Sequence, residues 1–265
     1  LSSPATGAFR PTIPYSRIPL LAHHQEGCME IRIVSLLPGA REAEGTVIII
    51  DVFRAFTTAA VAFSRGAEKI YLVAEVEEAL ELRERGVGEL CIGEVAGVRP
   101  QGFDFGNSPY EMSAADVKGR VLIQSTRAGT VGMAAATRAR EVYAGSFTTA
   151  KATVQAIRRR DPGLVTIVAM GAGGKVRADE DEQCALYLRN LFLGRTPNRD
   201  AVRELVMAGQ EAQKYGDPLT PHFHSQDPEM ALRIDSFAFA IRATREDGLL
   251  VARPEAPSAQ APSKR

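Results

Sequence analysis

Short apolar runs alternate with longer segments of helical spacing along most of the chain. Runs at 31–36, 46–50, 69–73, 90–92, 121–124, 141–144 and 164–170 read as strands, and two of them, TVIII at 46–50 and LVTIVAM at 164–170, are apolar at nearly every position. A strand with one wet face alternates apolar and polar residues, so runs without alternation belong to strands covered on both faces. Helical spacing fills 55–65, 76–85, 130–138, 149–160 and a segment from about Asp179 to about Leu193, with Gly66 and Gly86 as stop signals. This alternation predicts an α/β fold with a mostly parallel sheet covered by helices. A different pattern closes the chain: 235–242, the turn residues EDG and 249–251 read as an antiparallel hairpin.

The two ends lack this periodicity. Residues 1–28 are rich in Pro, Ser and His and are expected to form a flexible N-terminal extension, without the basic and apolar regions of a signal peptide. The fold is expected to start at Met29 and to occupy 29–253 as a single domain. Residues 254–265, rich in Pro, Ala and Ser, are expected to be a disordered tail. Composition adds exclusions. Apolar residues make up 45% and charged residues 24%, ordinary values for a chain with a sizeable core. Lys plus Arg equals Asp plus Glu, 32 each, which gives no reason to expect nucleic acid or an anionic membrane as partner. No apolar stretch is long enough to span a bilayer. Cys28, Cys91 and Cys184 are scattered and outside any CxxC or Cys/His cluster. They fit a reducing, cytoplasmic setting, where a lone cysteine is a small apolar residue.

Candidate chemistry gathers where strands hand over to helices. The segments DVFRAFTTAAVAFSRGAEKIY and QSTRAGTVGMAAATRAREVYA superpose at an offset of 73 residues, Arg54 on Arg127, Ala55 on Ala128 and Thr57 on Thr130. Each copy ends a strand, presents R-A-x-T and opens a helix rich in small residues. In open α/β sheets ligands bind at that edge, helix N-termini favour anions, and an arginine fork fits phosphate, carboxylate or sulfonate oxygens. Two such units could hold a doubly anionic ligand between them. A third junction, MGAGGKVRADEDEQCALYL, opens a helix with Asp179, Glu180, Asp181 and Glu182. Acidic residues there complement the helix dipole, and one facing the cleft could hold a hard cation such as Mg2+. Asp51 follows four apolar residues at a strand end, and a buried carboxylate in that position needs an arginine or a metal. The loop 93–109, with Glu94, Arg99, Asp104, Asn107 and Ser108, is too polar and too rich in Gly to be packing. His222 and His224 form an H-x-H pair, but SQDPE reads more simply as a helix start, with Ser225 or Asp227 as cap and Pro228 in the first turn.

These same segments resemble a known family. IIIDVFRAFTTA is similar to the D-V-x-R-A-x-T-T segment of the 2-phosphosulfolactate phosphatases. GE followed by GFDFGNSP, then STRAGT, then EDEQCA resemble that family's later segments in the same order, so the likeness runs from about Met29 to Pro254. The resemblance implies a three-layer α/β/α fold with a mostly parallel, mixed sheet. It also implies Mg2+-dependent hydrolysis of 2-phosphosulfolactate to sulfolactate and phosphate, a step on a coenzyme M pathway. Two departures stand out: Val95 replaces the arginine that often follows GE, with Arg99 the nearest substitute, and STRAGT carries Arg127 and one extra residue.

The expected site follows from both readings. Asp51, Glu94 and Asp104 are the catalytic candidates and, with Glu180 and Asp181, the metal ligands. Arg54 and Arg127 would clamp anionic oxygens, and Thr57, Asn107, Ser108, Thr126, Gly129 and Thr130 would add N–H and hydroxyl donors. Phe53, two positions after Asp51, argues against the aspartate-nucleophile phosphatases that need a second aspartate there. The expected partner is a small phosphorylated molecule; monomer and homodimer both stay open. A non-catalytic binder of such an anion is the competing reading. A Rossmann-type nucleotide binder is weaker, because no GxGxxG opens a helix after a strand.

Overall fold

A computed structural model describes residues 29–256. The expected extension at 1–28, with Cys28, and the tail from 257 on lie outside the described residues. In chain order the elements are β1 (Glu30–Ser35), α1 (Leu36–Glu42), β2 (Gly45–Ile50), α2 (Ala55–Ser64), β3 (Lys69–Val73), α3 (Val76–Glu84) and β4 (Leu90–Gly93). Then come α4 (Pro109–Ala114), β5 (Val121–Ser125), α5 (Gly129–Ala135), β6 (Ala139–Gly145), α6 (Ala150–Arg158) and β7 (Leu164–Ala169). The chain closes with α7 (Asp179–Phe192), α8 (Arg199–Met207), α9 (Gln226–Ala231), β8 (Ala240–Glu246) and β9 (Leu249–Glu255).

Among the described residues nine strands form one mixed sheet in the order β1-β7-β2-β6-β8-β9-β3-β5-β4. Side chains of β2 explain why its run is apolar throughout: Val47 and Ile49 enter one core, Ile48 and Ile50 another. Helices α1, α2, α4 and α5 pack in the first core, α6 and α7 in the second, and α3 covers the second face near β4. The architecture is three-layer α/β/α, as expected. Helix α2 is buried over Ala55–Phe63, the signature of a helix apolar all round. Its two threonines are accommodated because their hydroxyls donate to the carbonyls of Val52 (2.8 Å) and Asn107 (3.1 Å).

The repeat seen in the sequence is also a repeat of topology. The units β2-α2-β3-α3-β4 and β5-α5-β6-α6-β7 interlock: β2 pairs with β6 and β7 of the second unit, β5 with β3 and β4 of the first. Exchanging the two units reverses the order β7-β2-β6-β8-β9-β3-β5-β4 onto itself, with the C-terminal hairpin β8–β9 on the pseudo-two-fold axis. All pairings within each flank are parallel; the three that join the flanks through the hairpin are antiparallel, so the flanks run in opposite directions. Strand twist of roughly 20–25° per step accumulates over the steps from β2 to β5 to about a right angle or more. The loops that follow β2 and β5 meet, with Gly129 N–H donating to Asp51.

Some element bounds differ from expectation. The helix expected to reach residue 138 stops at Ala135, and β6 begins earlier than expected, at Ala139 opposite Gly45. Residues 235–239 are not strand; β8 starts at Ala240. Pro254 and Glu255, expected in the tail, pair with Ile241 and Ala240 in β9. Helices α1, α4 and α8 are additional. Two have legible caps in retrospect: Ser108 accepts from Glu111 N–H before Pro109, and Asn198 accepts from the N–H groups of Asp200 and Ala201. Cys91 and Cys184 are buried free thiols. Among the described residues no helix is long and apolar enough to cross a membrane.

Candidate active site

The C-terminal ends of four strands feed one cavity of about 340 Å3. From β2 come Asp51, Phe53 and Arg54; from β4, Glu94 and the turn Ala96–Gly97; from β5, Arg127 and Ala128; from β7, the loop at Gly171–Gly173. Helix α7 adds Glu180 and Asp181, and the segment between α8 and α9 closes the wall with Glu211, Lys214 and Phe223.

Asp51 is held by two backbone N–H groups. Its Oδ1 accepts from Ala55 N–H (3.0 Å) at the start of α2, and its Oδ2 from Gly129 N–H (2.7 Å) at the start of α5. One carboxylate thus links the two R-A-x-T junctions. Asp181 repeats the pattern, with Oδ1 accepting from Val52 N–H and Oδ2 from Gly171 N–H, both at 2.8 Å. Glu94 does the same for the other unit, accepting from Arg127 N–H (2.8 Å) and Gly97 N–H (2.6 Å). Each unit therefore carries a carboxylate, placed after its last strand, that ties down the first junction of its mate.

Burial dominates the electrostatics. It lifts the Asp51 carboxyl to about 6, against the opposing pull of the Ala55 N–H bond, and Glu94 nearby adds to the rise. Burial pushes Glu180 up to about 8, with Glu211 and Asp51 contributing. Asp181 rises well above the carboxylate range through burial and the charges of Glu180 and Asp51. Of the four acidic residues opening α7, only these two face the cavity. Asp179 is turned to Gly209, and Glu182 accepts from Ser35 and pairs with Arg177.

Arg54 is 3% exposed and locked in place. Its Nη1 donates to His222 O (2.7 Å) and to Asp227 (3.1 Å), its Nη2 to Gly97 O (3.1 Å). The guanidinium lies 4.8 Å from the Phe223 ring centroid and 5.8 Å from that of Tyr215. Asp227 also accepts from Ser108 Oγ (2.7 Å) and Tyr110 N–H (3.1 Å). One of the two candidate helix caps in its segment, with Ser225, Asp227 is fully buried and is the counter-charge of Arg54.

Several expected donors are spent on the fold. The Thr57 hydroxyl donates to Val52 O, and Thr126 and Thr130 hydrogen-bond each other across the first turn of α5. None of the three lines the cavity. Ser108 serves Asp227 and the α4 cap, and Gly129 N–H serves Asp51. Asp104 is corrected as a catalytic or metal residue. It does not line the cavity, accepts from Cys91 N–H (2.8 Å), and pairs with Arg83, which staples the 93–109 loop to β4. Arg127 lines the cavity half-exposed, with Glu75 as a partner at 3.2 Å. His222 contributes its carbonyl, and His224 bonds Glu111 (3.1 Å); neither places an imidazole beside the acidic cluster. Gly129 is required by crowding, since a Cβ there would sit 2.8 Å from Asp51 Oδ2 and 2.9 Å from Ala55 Cβ. Gly129→Ala is expected to cost about 1–3 kcal/mol, seen as a lower urea midpoint at unchanged slope.

The donor chemistry fits a hard cation. Among the described residues no three Asp, Glu, His or Cys side chains form a ready-made metal cage. Mg2+ seldom uses one; it takes one or two carboxylates and completes its shell with water and substrate phosphate oxygens. Asp51, Glu180 and Asp181 are carboxylates whose pKa is raised chiefly by burial and further by the charges of neighbouring carboxylates, and each has oxygen lone pairs to offer a cation.

Comparison with known proteins places the chain among named relatives. Residues 31–232 match the sequence model of the 2-phosphosulpholactate phosphatases. A Bacillus subtilis protein named probable 2-phosphosulfolactate phosphatase is 33% identical over 183 residues, 68% of this chain and 78% of its own. A Thermus thermophilus protein of the same name is 35% identical over 189 residues, 70% of this chain and 78% of its own. A third, from Carboxydothermus hydrogenoformans, is 44% identical over 106 residues, 40% of this chain and 44% of its own. From the R-A-x-T junctions to the acidic start of α7, the residues lining the cavity up to Asp181 lie within the matched span, and the chain belongs to the 2-phosphosulpholactate phosphatase family.

Proposed function

We propose that the chain is a Mg2+-dependent phosphatase of a small anionic 2-phospho-hydroxy acid, with 2-phosphosulfolactate the first candidate substrate. The observation that carries this reading is one cavity, at the ends of four strands, lined by Asp51, Glu94, Glu180 and Asp181 beside Arg54, Arg127 and Lys214. Such a set suits a phosphate and a second anionic group, with a cation between phosphate and carboxylates. The names of the relatives support the same substrate.

Asp51, Glu180 and Asp181 would hold Mg2+, which when bound supplies charge neutralisation for phosphoryl transfer. Arg54, fixed by Asp227 and its aromatic neighbours, presents a guanidinium that need not reorganise as charge develops on the phosphoryl oxygens. Arg127 and Lys214 are the more exposed cations and serve the second anionic group. Asp51 acts as ligand rather than nucleophile, because both its oxygens already accept N–H bonds and Phe53 stands where aspartyl-phosphate chemistry places its second acid. Glu180, pushed up to about 8, carries a proton at neutral pH without the cation and releases it when the cation binds.

The test is phosphate release from 2-phosphosulfolactate, phosphoglycolate, phospholactate and p-nitrophenyl phosphate, with Mg2+ and with EDTA. EDTA-sensitive release from the hydroxy-acid phosphates is expected. No release from any of them by folded protein would replace the phosphatase with a non-catalytic anion binder on the same scaffold.

A further inference from the structure

The cavity has a neighbour. A second compartment of about 360 Å3 is lined by Val98, Arg99, Gly106, Ser108, Glu111 and His222, and it shares Arg54, Gly97 and Asn107 with the first. The partition is thin. It consists of the Arg54 guanidinium, its 3.1 Å bond to Gly97 O, and the tip of a hairpin turn in which Val95 and Val98 exchange backbone bonds. Ala96 and Gly97 at that tip have φ of 52° and 83°, the double left-handed conformation of a tight hairpin. Gly97 is placed so closely that a Cβ would meet the Phe223 ring at 2.6 Å.

Asn107 lines both compartments, is 4% exposed, and its Oδ1 is enclosed without a hydrogen-bond partner among the described residues. A buried carbonyl oxygen without a donor costs about 1–3 kcal/mol, so the site is built for something that supplies one. Arg99, exposed on the far wall, donates to Asp104 O (3.1 Å) and makes no ion pair among the described residues. Of the charged groups around this compartment, Arg54 pairs with Asp227 and is assigned to the phosphate in the first cavity, and Glu111 is turned onto His224. Arg99 is the cation left to meet a ligand.

We propose that the second compartment is the subsite for the far end of an elongated phosphomonoester, whose chain passes Asn107 and whose terminal carboxylate or sulfonate is bound by Arg99. The proposal rests on the phosphatase reading for its orientation, phosphate toward Asp51 and Arg54. The two compartments meet at Arg54 and Asn107, so the second extends the site beyond the phosphate pocket, and a cation placed beyond the partition selects for length as well as charge. Asn107 Oδ1 then accepts from a hydroxyl along the chain.

Binding that needs no turnover separates this inference from the phosphatase reading. Isothermal titration of the full chain with phosphonoacetate, 3-phosphonopropionate and 5-phosphonopentanoate, in Mg2+, measures affinity against length. The longest probe is expected to bind about tenfold more tightly than the shortest. Arg99→Ala is expected to erase that gain and leave phosphonoacetate binding unchanged, while Arg99→Lys keeps part of it. Equal affinity at all lengths, a gain that survives Arg99→Ala, or no binding of any probe would overturn the subsite. The phosphatase reading fails separately, by absence of phosphate release.

Discussion

Asp51→Asn is expected to lower phosphate release on the order of a thousandfold while leaving the protein folded. The argument starts from two backbone bonds. Each Asp51 oxygen accepts one N–H, from Ala55 and from Gly129, and each keeps a lone pair for the cavity. An amide keeps the shape but sets an NH2 against one of those N–H donors and removes the charge that a cation needs. Two effects on stability oppose each other. A lost N–H bond at a buried site costs about 1–3 kcal/mol, whereas removing one of three crowded carboxylates relieves repulsion among them. Catalysis has no such compensation. The measurement is kcat/KM on the best substrate of the panel together with the thermal midpoint; a variant that retains a tenth of its activity would remove Asp51 from the site.

The second large effect is a stability that depends on pH and on Mg2+ together. Asp51, Glu180 and Asp181 all have folded-state pKa values above those of exposed acids, chiefly through burial. Between the two values the folded state holds more protons than the unfolded chain, so stability falls as pH rises. The window opens near pH 4, and the loss continues through about 6 for Asp51 and about 8 for Glu180. Without divalent cation, the protein is expected to lose several kcal/mol between pH 6 and 8.5, a drop in thermal midpoint on the order of 10 °C. Mg2+ competes with those protons, so its stabilisation grows with pH. Thermal midpoints in EDTA and in excess Mg2+ at the two pH values test this. An equal Mg2+ shift at pH 6 and at 8.5 would place the cation away from these carboxylates.

What the sequence made legible follows what is local. Doubly buried strands were visible in runs such as 46–50, because burial on both faces suppresses alternation, and Asp51 stood out at the end of one. The repeat of R-A-x-T identified two junctions that the structure joins through a single carboxylate. Roles assigned to individual donors fared less well. Thr126 and Thr130 look like anion-binding hydroxyls from their place at a helix start, yet the same place lets them bond each other. Asp104 sits in the most polar loop, but its partner, Cys91 N–H, is fixed by the pairing of β4 and invisible along the chain. Asp227 is the clearest omission. It lies 173 residues from Arg54 in a segment with an ordinary helix-start signature, and only the fold brings the two within 3.1 Å. Lys214 and Glu211 carry no motif at all.

The position of the last hairpin has a consequence for how the chain is made. β8 and β9 join the two flanks at the centre of the sheet, although they are the final strands of the described chain. During synthesis β6 and β3 must wait, each with an unpaired edge, until residues beyond 240 have left the ribosome. Exposed edges are templates for pairing with other chains. The interval before the hairpin arrives is when this protein is most exposed to aggregation. Moreover, Asp51 is carried by one flank and Gly129 by the other, so the site is completed only when the flanks close around the last two strands.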